Sequence, residues 1–456
     1  MKVLQALFFP PEQPGGVSSM VPYIQDRFLK MGWDMDLFSI PKRVRGKGSE
    51  GLEFSTFDAD RYRGYPVVDK YLQTIRDYLW WTRLRINQSY DLIHAHHPIP
   101  ALVMKKLFPD TPVVMTIHSS YERELALNGR IEPGGPEHQF LTSLYGELEA
   151  KVDRLLTVSY AFRSYLAPHV KNPDKITVIH NGFDEKRFRP VSHENEIPQL
   201  ISVCRLVPAK GLDILLRACA LLKQRGYTFV LHIIGDGPIR QDLEKMAADL
   251  GIYDDTIFYG YMLHPEEFMP FFDIFVLPSR AEAFGSVFAE AALCLLALVG
   301  TNVGGIAEQI EDGVNGLLVP PDDPEALAGA LEKVISDPSY RYNLARAAWE
   351  KAKRDYSLQR VITQLKEIYL ELARKPCADG TEAHEHAREA EADAARHAGT
   401  DTAREPGAAG ARHAGTDTAR AADRESAPDT APGAGPEDAR EAAGRPDEAA
   451  REGKAT

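Results

Sequence analysis

The chain has 456 residues, 44% of them hydrophobic, and a formal charge of −13. That length exceeds one ordinary domain and that apolar share fills real cores, while the acidic balance excludes bulk nucleic-acid binding. Four cysteines with no Cys-x-x-Cys pair exclude a disulfide framework and a thiolate zinc site and suit a reducing cytoplasm, and no apolar run approaches the ~18 residues of a membrane span.

Val3–Phe9 reads as a first strand, too short for a secretory leader and closed by Pro10 and Pro11. Pro14-Gly15-Gly16-Val17-Ser18 is a glycine turn at its end. It opens a helix from Val17 to Met31, with Val21, Ile24, Phe28 and Met31 on one face. Such a turn either lets backbone approach a ligand phosphate or is a plain tight turn. It does not match G-x-G-x-x-G, which counts against a dinucleotide dehydrogenase. After a strand at Asp36–Ile40, a long loop carries Lys42, Arg43, Arg45 and Lys47, followed by an amphipathic helix from Val67 to Asn87. Loop and helix would suit an anionic acceptor or peripheral contact with the inner membrane face; a solvated loop is the alternative.

Asp91–His97 and Val113–Ser120 are strands with polar ends. Alternation puts His94 and His96 on the face opposite His97, and no carboxylate spacing completes a metal site. His118 closes its strand at the edge where open α/β sheets place ligands; a structural strand-end histidine is the alternative. Tyr121–Gly135 reads as a polar loop, with Glu122, Arg123, Glu124, Arg130 and Glu132, of the kind that shapes an acceptor pocket. Leu155–Ser159 and Ile176–Gly182 are further strands. The aperiodic, proline-punctuated stretch from Phe183 to Pro198 marks a domain boundary.

The same rhythm then restarts: strands at Leu200–Leu206, Phe229–Ile234, Thr256–Tyr259 and Ile274–Leu277, with a helix at Leu212–Lys223. Arg205 and Lys210, five residues apart at a strand's C-terminal end and flanking the turn after it, would suit a diphosphate, Arg by its fork and Lys as a point charge; two surface cations are the alternative. Glu282 and Glu290 stand eight residues apart, about 12 Å if fully helical, in Glu282-Ala283-Phe284-Gly285…Glu290. The amides near Phe284 and Gly285 would point out of the N-terminus of a helix spanning Val287–Leu296 and favour oxygens of a ligand. Gly304-Gly305 is a second glycine turn. Helices at 324–334, 340–356 and 360–374 follow. From Pro376 on there are 18 acidic and 10 basic residues. Past Leu372 there is no large apolar residue, and one nine-residue stretch recurs at Arg396–Arg404 and Arg412–Arg420. Such a composition predicts a disordered tail, and its Ala, Gly, Arg and Pro hint at a GC-rich bacterial genome.

Two consecutive βα arrays, the first glycine turn, Arg205…Lys210, Glu-x7-Glu and Gly304-Gly305 together resemble the family 4 glycosyltransferases, retaining enzymes of GT-B fold. The resemblance covers roughly Met1–Lys375 and is strongest from Leu200 to Val319. It implies an α/β architecture of two facing, doubly wound Rossmann-like domains: residues 1–190 for the acceptor and 191–358 for the nucleotide sugar. Residues 359–375 would form a helix returning to the first domain; the tail, 376–456, lies outside the resemblance. It implies transfer of a hexose or N-acetylhexosamine from a UDP-linked donor to a hydroxyl acceptor, with no cofactor and no catalytic metal. Gly15 and Gly16 would approach the diphosphate and sugar, and His118 would hydrogen-bond the sugar. Arg205 and Lys210 would neutralise the diphosphate. Glu282, with the Phe284 and Gly285 amides, would hold sugar hydroxyls, and Glu290 the ribose. A nucleotide-sugar 2-epimerase of the same fold, or a non-catalytic sugar-nucleotide binder, is the alternative. One departure stands out. The family ends the Glu290 helix with Cys-Gly-x-Pro, whereas here Cys294-Leu295-Leu296-Ala297 puts Leu where a left-handed glycine is expected, at a cost of about 1 kcal/mol or more.

Overall fold

The computed structural model describes residues 1–8, 10, 16–41 and 59–374. Gly15, the basic loop Lys42–Lys47 and the tail after Arg374 lie outside them. The described residues belong to one compact unit, Met1–Asp379.

The first half runs β1 (Lys2–Ala6), α1 (Gly16–Lys30), β2 (Asp34–Phe38), α2 (Pro66–Arg85), β3 (Leu92–Ala95) and α3 (Pro98–Leu107). It continues through β4 (Val113–Ile117), α4 (Tyr121–Leu127), α5 (Pro136–Lys151), β5 (Arg154–Thr157), α6 (Tyr160–Leu166) and β6 (Ile176–Val178). All strands are parallel, in the order β2-β1-β3-β4-β5-β6. β3 and β4 are buried at every residue, as expected for strands covered by helices on both faces.

The second half runs β7 (Gln199–Val203), α7 (Leu212–Gln224), β8 (Val230–Ile234), α8 (Arg240–Asp249), β9 (Thr256–Gly260) and β10 (Ile274–Leu277). Then come α9 (Ser286–Leu293), β11 (Ala297–Thr301), α10 (Ile306–Gln309), β12 (Leu317–Val319), α11 (Pro324–Ser336), α12 (Pro338–Asp355) and α13 (Leu358–Ala373). Its parallel order is β12-β11-β10-β7-β8-β9. In each sheet the chain works outward and then returns past its first strand. The order therefore reverses between β1 and β3 and between β7 and β10, and ligands of such sheets bind at these crevices.

Local chemistry starts and stops the helices. Proline opens α2, α3, α5, α11 and α12, where its missing N–H costs nothing. Asp323, Asp337 and Ser357 cap α11, α12 and α13 through their side chains. The segment after Ser120 corrects the expected polar loop: Tyr121–Leu127 is helical because Glu122 turns inward, 1% exposed, onto two tyrosines. α9 is shorter than expected. Leu296 N–H donates to Ala291 and Leu295 N–H to Ala292, a Schellman ending, and Leu295 takes the left-handed φ of 67° that glycine usually supplies. The residues that follow then form β11 beside β10.

α13 crosses to the first sheet. Val361, Leu365, Ile368, Tyr369 and Leu372 pack with Val3, Ile24, Phe28, Leu92 and Leu156.

Candidate functional site

The crevice between β7 and β10 gathers three side chains. Arg205 lies just past β7, Lys210 in the 3-10 turn Pro208–Lys210, and Glu282 in the loop after β10. Lys210 and Glu282 form an ion pair, and Ser279 Oγ donates to the same Glu282 oxygen at 3.0 Å. Arg205 pairs instead with Glu124 of α4, on the opposite wall. Arg205, Lys210, Glu282 and Glu124, with Ser119 and Arg123, line a cleft of about 610 Å³, counting its open mouth.

Backbone packing explains the glycines. Gly211, at φ 67°, sits so close to the Pro278 carbonyl that a Cβ would overlap it. A Cβ on Gly304 or Gly305 would likewise overlap the carbonyls of Glu282 and Ala283 respectively, and Gly305 N–H donates to Glu282 O at 3.3 Å. The second glycine turn is thus the seat on which the Glu282 loop rests. Arg280 fixes the Lys210 turn. It grips Asp213 at 3.0 and 2.8 Å, Asp322 at 2.6 Å and the Pro208 carbonyl at 2.5 Å. The sequence reading missed Arg280, although an Arg three residues past a strand at a switch point was a usable signal.

Gly285, at φ 81°, turns the chain into α9. The Phe284 side chain is core, 2% exposed, against His180, Phe183 and Tyr356. Only its backbone is left to meet a ligand. Glu290 is not among the residues lining the cleft. Burial pushes its carboxyl up to about 7; the Arg187 charge opposes this and Glu266 adds to it. Arg187 and Glu266, paired at 2.6 Å, were also missed, because Arg187 lies in the stretch read as a linker.

On the first sheet, His118 follows β4. Its Nε2 lies 3.1 Å from His96 Nδ1, and its own Nδ1 is buried without a partner. Burial lowers its pKa to about 4. His118, like Glu290, is not among the residues lining the cleft; it lines a smaller cavity of about 290 Å³ with His94, His96, His180 and Asn181. His97 instead caps α3 and stacks on Phe8 at 4.3 Å. Among the described residues no group of His, Cys, Asp or Glu is placed to hold a metal ion. Glu122, expected to face an acceptor, accepts from Tyr145 at 2.7 Å and Tyr165 at 2.6 Å. Of the three glutamates only Glu124 lines the cleft. Gly16 begins α1.

The two halves are tied across this region. Ser159 Oγ donates to Ala283 O at 2.5 Å, Asn181 to Ser286 Oγ at 2.9 Å, and Ala209 N–H to Asn128 at 3.2 Å. Glu308 accepts from the amides of Tyr160 and Ala161 at 3.1 and 2.6 Å and lies 3.1 Å from His180 Nε2.

A "Glycosyltransferase Family 4" model matches residues 14–187, and a "Glycosyl transferases group 1" model matches 183–354. D-inositol 3-phosphate glycosyltransferase of Saccharomonospora viridis is 32% identical over 310 residues, 62% of this chain and 70% of that one. The chain belongs to the family 4 glycosyltransferases. Alpha-D-kanosaminyltransferase of Streptomyces kanamyceticus is 36% identical to this glycosyltransferase over 179 residues, 38% of this chain and under half, 46%, of that one. In structure it is similar to Anabaena HepE in complex with UDP, with a TM-score of 0.59 and 20% identity. That match covers 81% of this chain and all of the other, and shows the shared GT-B fold. Among the described residues of the glycosyltransferase no helix is long and apolar enough to cross a membrane.

Proposed function

We propose that this protein moves a hexose or N-acetylhexosamine from a UDP-linked donor to a hydroxyl acceptor, with retention at the anomeric carbon. Residues 191–358 hold the donor and 1–190 the acceptor. The reading rests on one observation: Arg205, Lys210 and Glu282 converge from both sides of the β7/β10 switch point into a cleft faced by Ser119, Ser120, Arg123 and Glu124. The solved relative bound to UDP supports the choice of nucleotide.

As the bond from C1 to the diphosphate oxygen breaks, negative charge builds on the leaving UDP. Arg205 and Lys210 exchange their carboxylate partners for that charge and stabilise it, Lys210 from a mostly buried position and Arg205 from the open mouth of the cleft. These two cations do the work a metal does elsewhere, so no metal or cofactor is assigned. Glu282 turns to the sugar hydroxyls, aided by the Phe284 and Gly285 backbone, and His118 accepts from another hydroxyl. In this proposal Gly15 and Gly16 serve the diphosphate and sugar, and Glu290 takes the ribose. The acceptor oxygen bonds to C1 on the face the leaving group vacates, and its proton passes to the departing phosphate oxygen. No side chain is needed as general base.

A thermal-shift panel of UDP, GDP and ADP, followed by transfer or hydrolysis assays with and without EDTA, tests the reading. Stabilisation by UDP, and EDTA-insensitive turnover lost in Glu282→Ala, are the expected results. No stabilisation by any nucleotide would sink it.

A further inference from the structure

Behind His118 a continuous chain of hydrogen bonds runs to Thr116. Tyr369 Oη of α13 lies 2.5 Å from His94 Nδ1, and His94 Nε2 lies 2.7 Å from Thr116 Oγ1. Gln5 of β1 places Nε2 at 3.3 Å from Tyr369 Oη and Oε1 at 2.7 Å from His96 Nε2. His96 Nδ1 meets His118 Nε2 at 3.1 Å. Gln5, His94 and Tyr369 are at most 1% exposed and His96 6%, so bulk solvent does not compete for these contacts.

Each proton in this chain fixes the next. Burial keeps all three histidines neutral: it lowers His94 to about 3 and His118 to about 4, and lowers His96 well below its usual value. A neutral imidazole has one N–H. A phenol is a better proton donor than an imidazole N–H, so Tyr369 gives its single hydrogen to His94 Nδ1 across the short contact. His94 then carries its hydrogen on Nε2, toward Thr116. With its proton spent, the Tyr369 oxygen can only accept from Gln5, so Gln5 presents its amide NH2 there. The Gln5 carbonyl must then face His96 Nε2, which carries the hydrogen. His96 Nδ1 is therefore bare, and His118 must place its hydrogen on Nε2 to meet it. His118 Nδ1, the buried atom without a partner, is left as a lone pair.

We infer that Tyr369, Gln5 and His96 are positioning residues that lock His118 in the Nε2–H tautomer, so that its Nδ1 accepts a hydrogen bond from a hydroxyl of the bound sugar. Reversing the Gln5 amide would reverse every proton in the chain and turn His118 Nδ1 into a donor, able to hold an ether or carboxylate but not to accept. The helix α13, through Tyr369, thereby sets which sugars His118 tolerates at that position. The claim about the sugar rests on the proposed transfer reaction; the tautomer claim does not.

Long-range proton–nitrogen correlation spectra of the full chain with nitrogen-labelled histidine read each ring's tautomer, with His118 identified by the signals that vanish in His118→Gln. The wild type is expected to show His118 protonated at Nε2 and bare at Nδ1. Tyr369→Phe and Gln5→Leu, prepared independently, should each populate both tautomers. Sugar transfer should fall about tenfold in kcat, the worth of one hydrogen bond, with UDP affinity unchanged. A wild-type His118 protonated at Nδ1, or a tautomer unmoved in both variants, overturns the inference, and the wild-type spectrum alone can do so. The expected tautomer shift with transfer unchanged would instead overturn the role of His118 on the sugar while the wiring stands.

Discussion

Glu308 of α10 holds Ala161, the second residue of α6, by a 2.6 Å hydrogen bond that spans the two halves of the protein. The same carboxylate takes the Tyr160 amide and faces His180 Nε2. Burial alone would raise its pKa, but the hydrogen bonds from His180 and the two amides outweigh it and hold the group below the usual carboxylate range. A depressed carboxylate stabilises the fold above its unfolded pKa and loses that contribution as pH falls through the folded one. Glu308→Ala should weaken closure by about 2 kcal/mol, the scale of charged hydrogen bonds. Hydrogen exchange at the Tyr160 and Ala161 amides should speed up, and small-angle scattering should show a larger radius of gyration. Unchanged exchange would show that the carboxylate does not hold the halves together.

The Lys210–Glu282 pair predicts a different signature. Both side chains are mostly buried, 19% and 12% exposed, so removing one partner strands the other's charge. Lys210→Met should cost about 3 kcal/mol of stability, and adding Glu282→Gln should recover most of it. Activity should not recover: loss of the phosphate cation should lower turnover about 100-fold or more, whether or not Glu282 is also changed. Thermal melts alongside transfer assays of the single and double variants separate the two effects.

Much of this was legible in the sequence where the signal was local. The apolar run Ile274–Leu277 is a strand at those residues, and Arg205, Lys210 and Glu282 lie where a strand-to-helix reading puts ligand contacts. What failed depends on partners far along the chain. Nothing in Tyr121–Leu127 announces that Glu122 is buried, because Tyr145 and Tyr165 satisfy it from 23 and 43 residues away. Arg187 looked like linker until α9 and Glu266 folded against it. The Gln5–Tyr369 contact joins residues 364 apart. The Leu at 295 was visible as an anomaly, and the helix stops there in the left-handed geometry despite it.

Glu290 should make stability depend on pH in the opposite sense to Glu308. Its carboxyl is raised from 4.5 to about 7, chiefly by burial. Between those values the folded state holds more protons than the unfolded one, so stability falls as pH rises through that window and is level above it. The full effect is about 3 kcal/mol. In ligand-free protein, Glu290→Gln should flatten that slope and be more stable than the wild type at alkaline pH. Under the proposed ribose role, UDP binding favours the carboxylate and should release a proton near neutral pH. Calorimetry in buffers of different ionisation enthalpy measures this, and identical heats would exclude it.

Leu295 tests the helix end directly. Its φ of 67° strains any residue with a Cβ, and a β-branched one most. Leu295→Gly relieves roughly 1 kcal/mol of strain but gives up a half-buried side chain that packs on the core, and loosens the unfolded chain. The gains and losses nearly cancel, so Leu295→Gly should melt close to the wild type. Leu295→Val keeps most of the apolar surface yet worsens the backbone fit, and should cost about 2 kcal/mol. Because α9 carries Glu290 and its N-terminus abuts Gly285, that loss should appear as weaker UDP binding as well as a lower melting temperature. If Leu295→Val melts with the wild type and Leu295→Gly does not, side-chain packing rather than the left-handed turn governs this helix end.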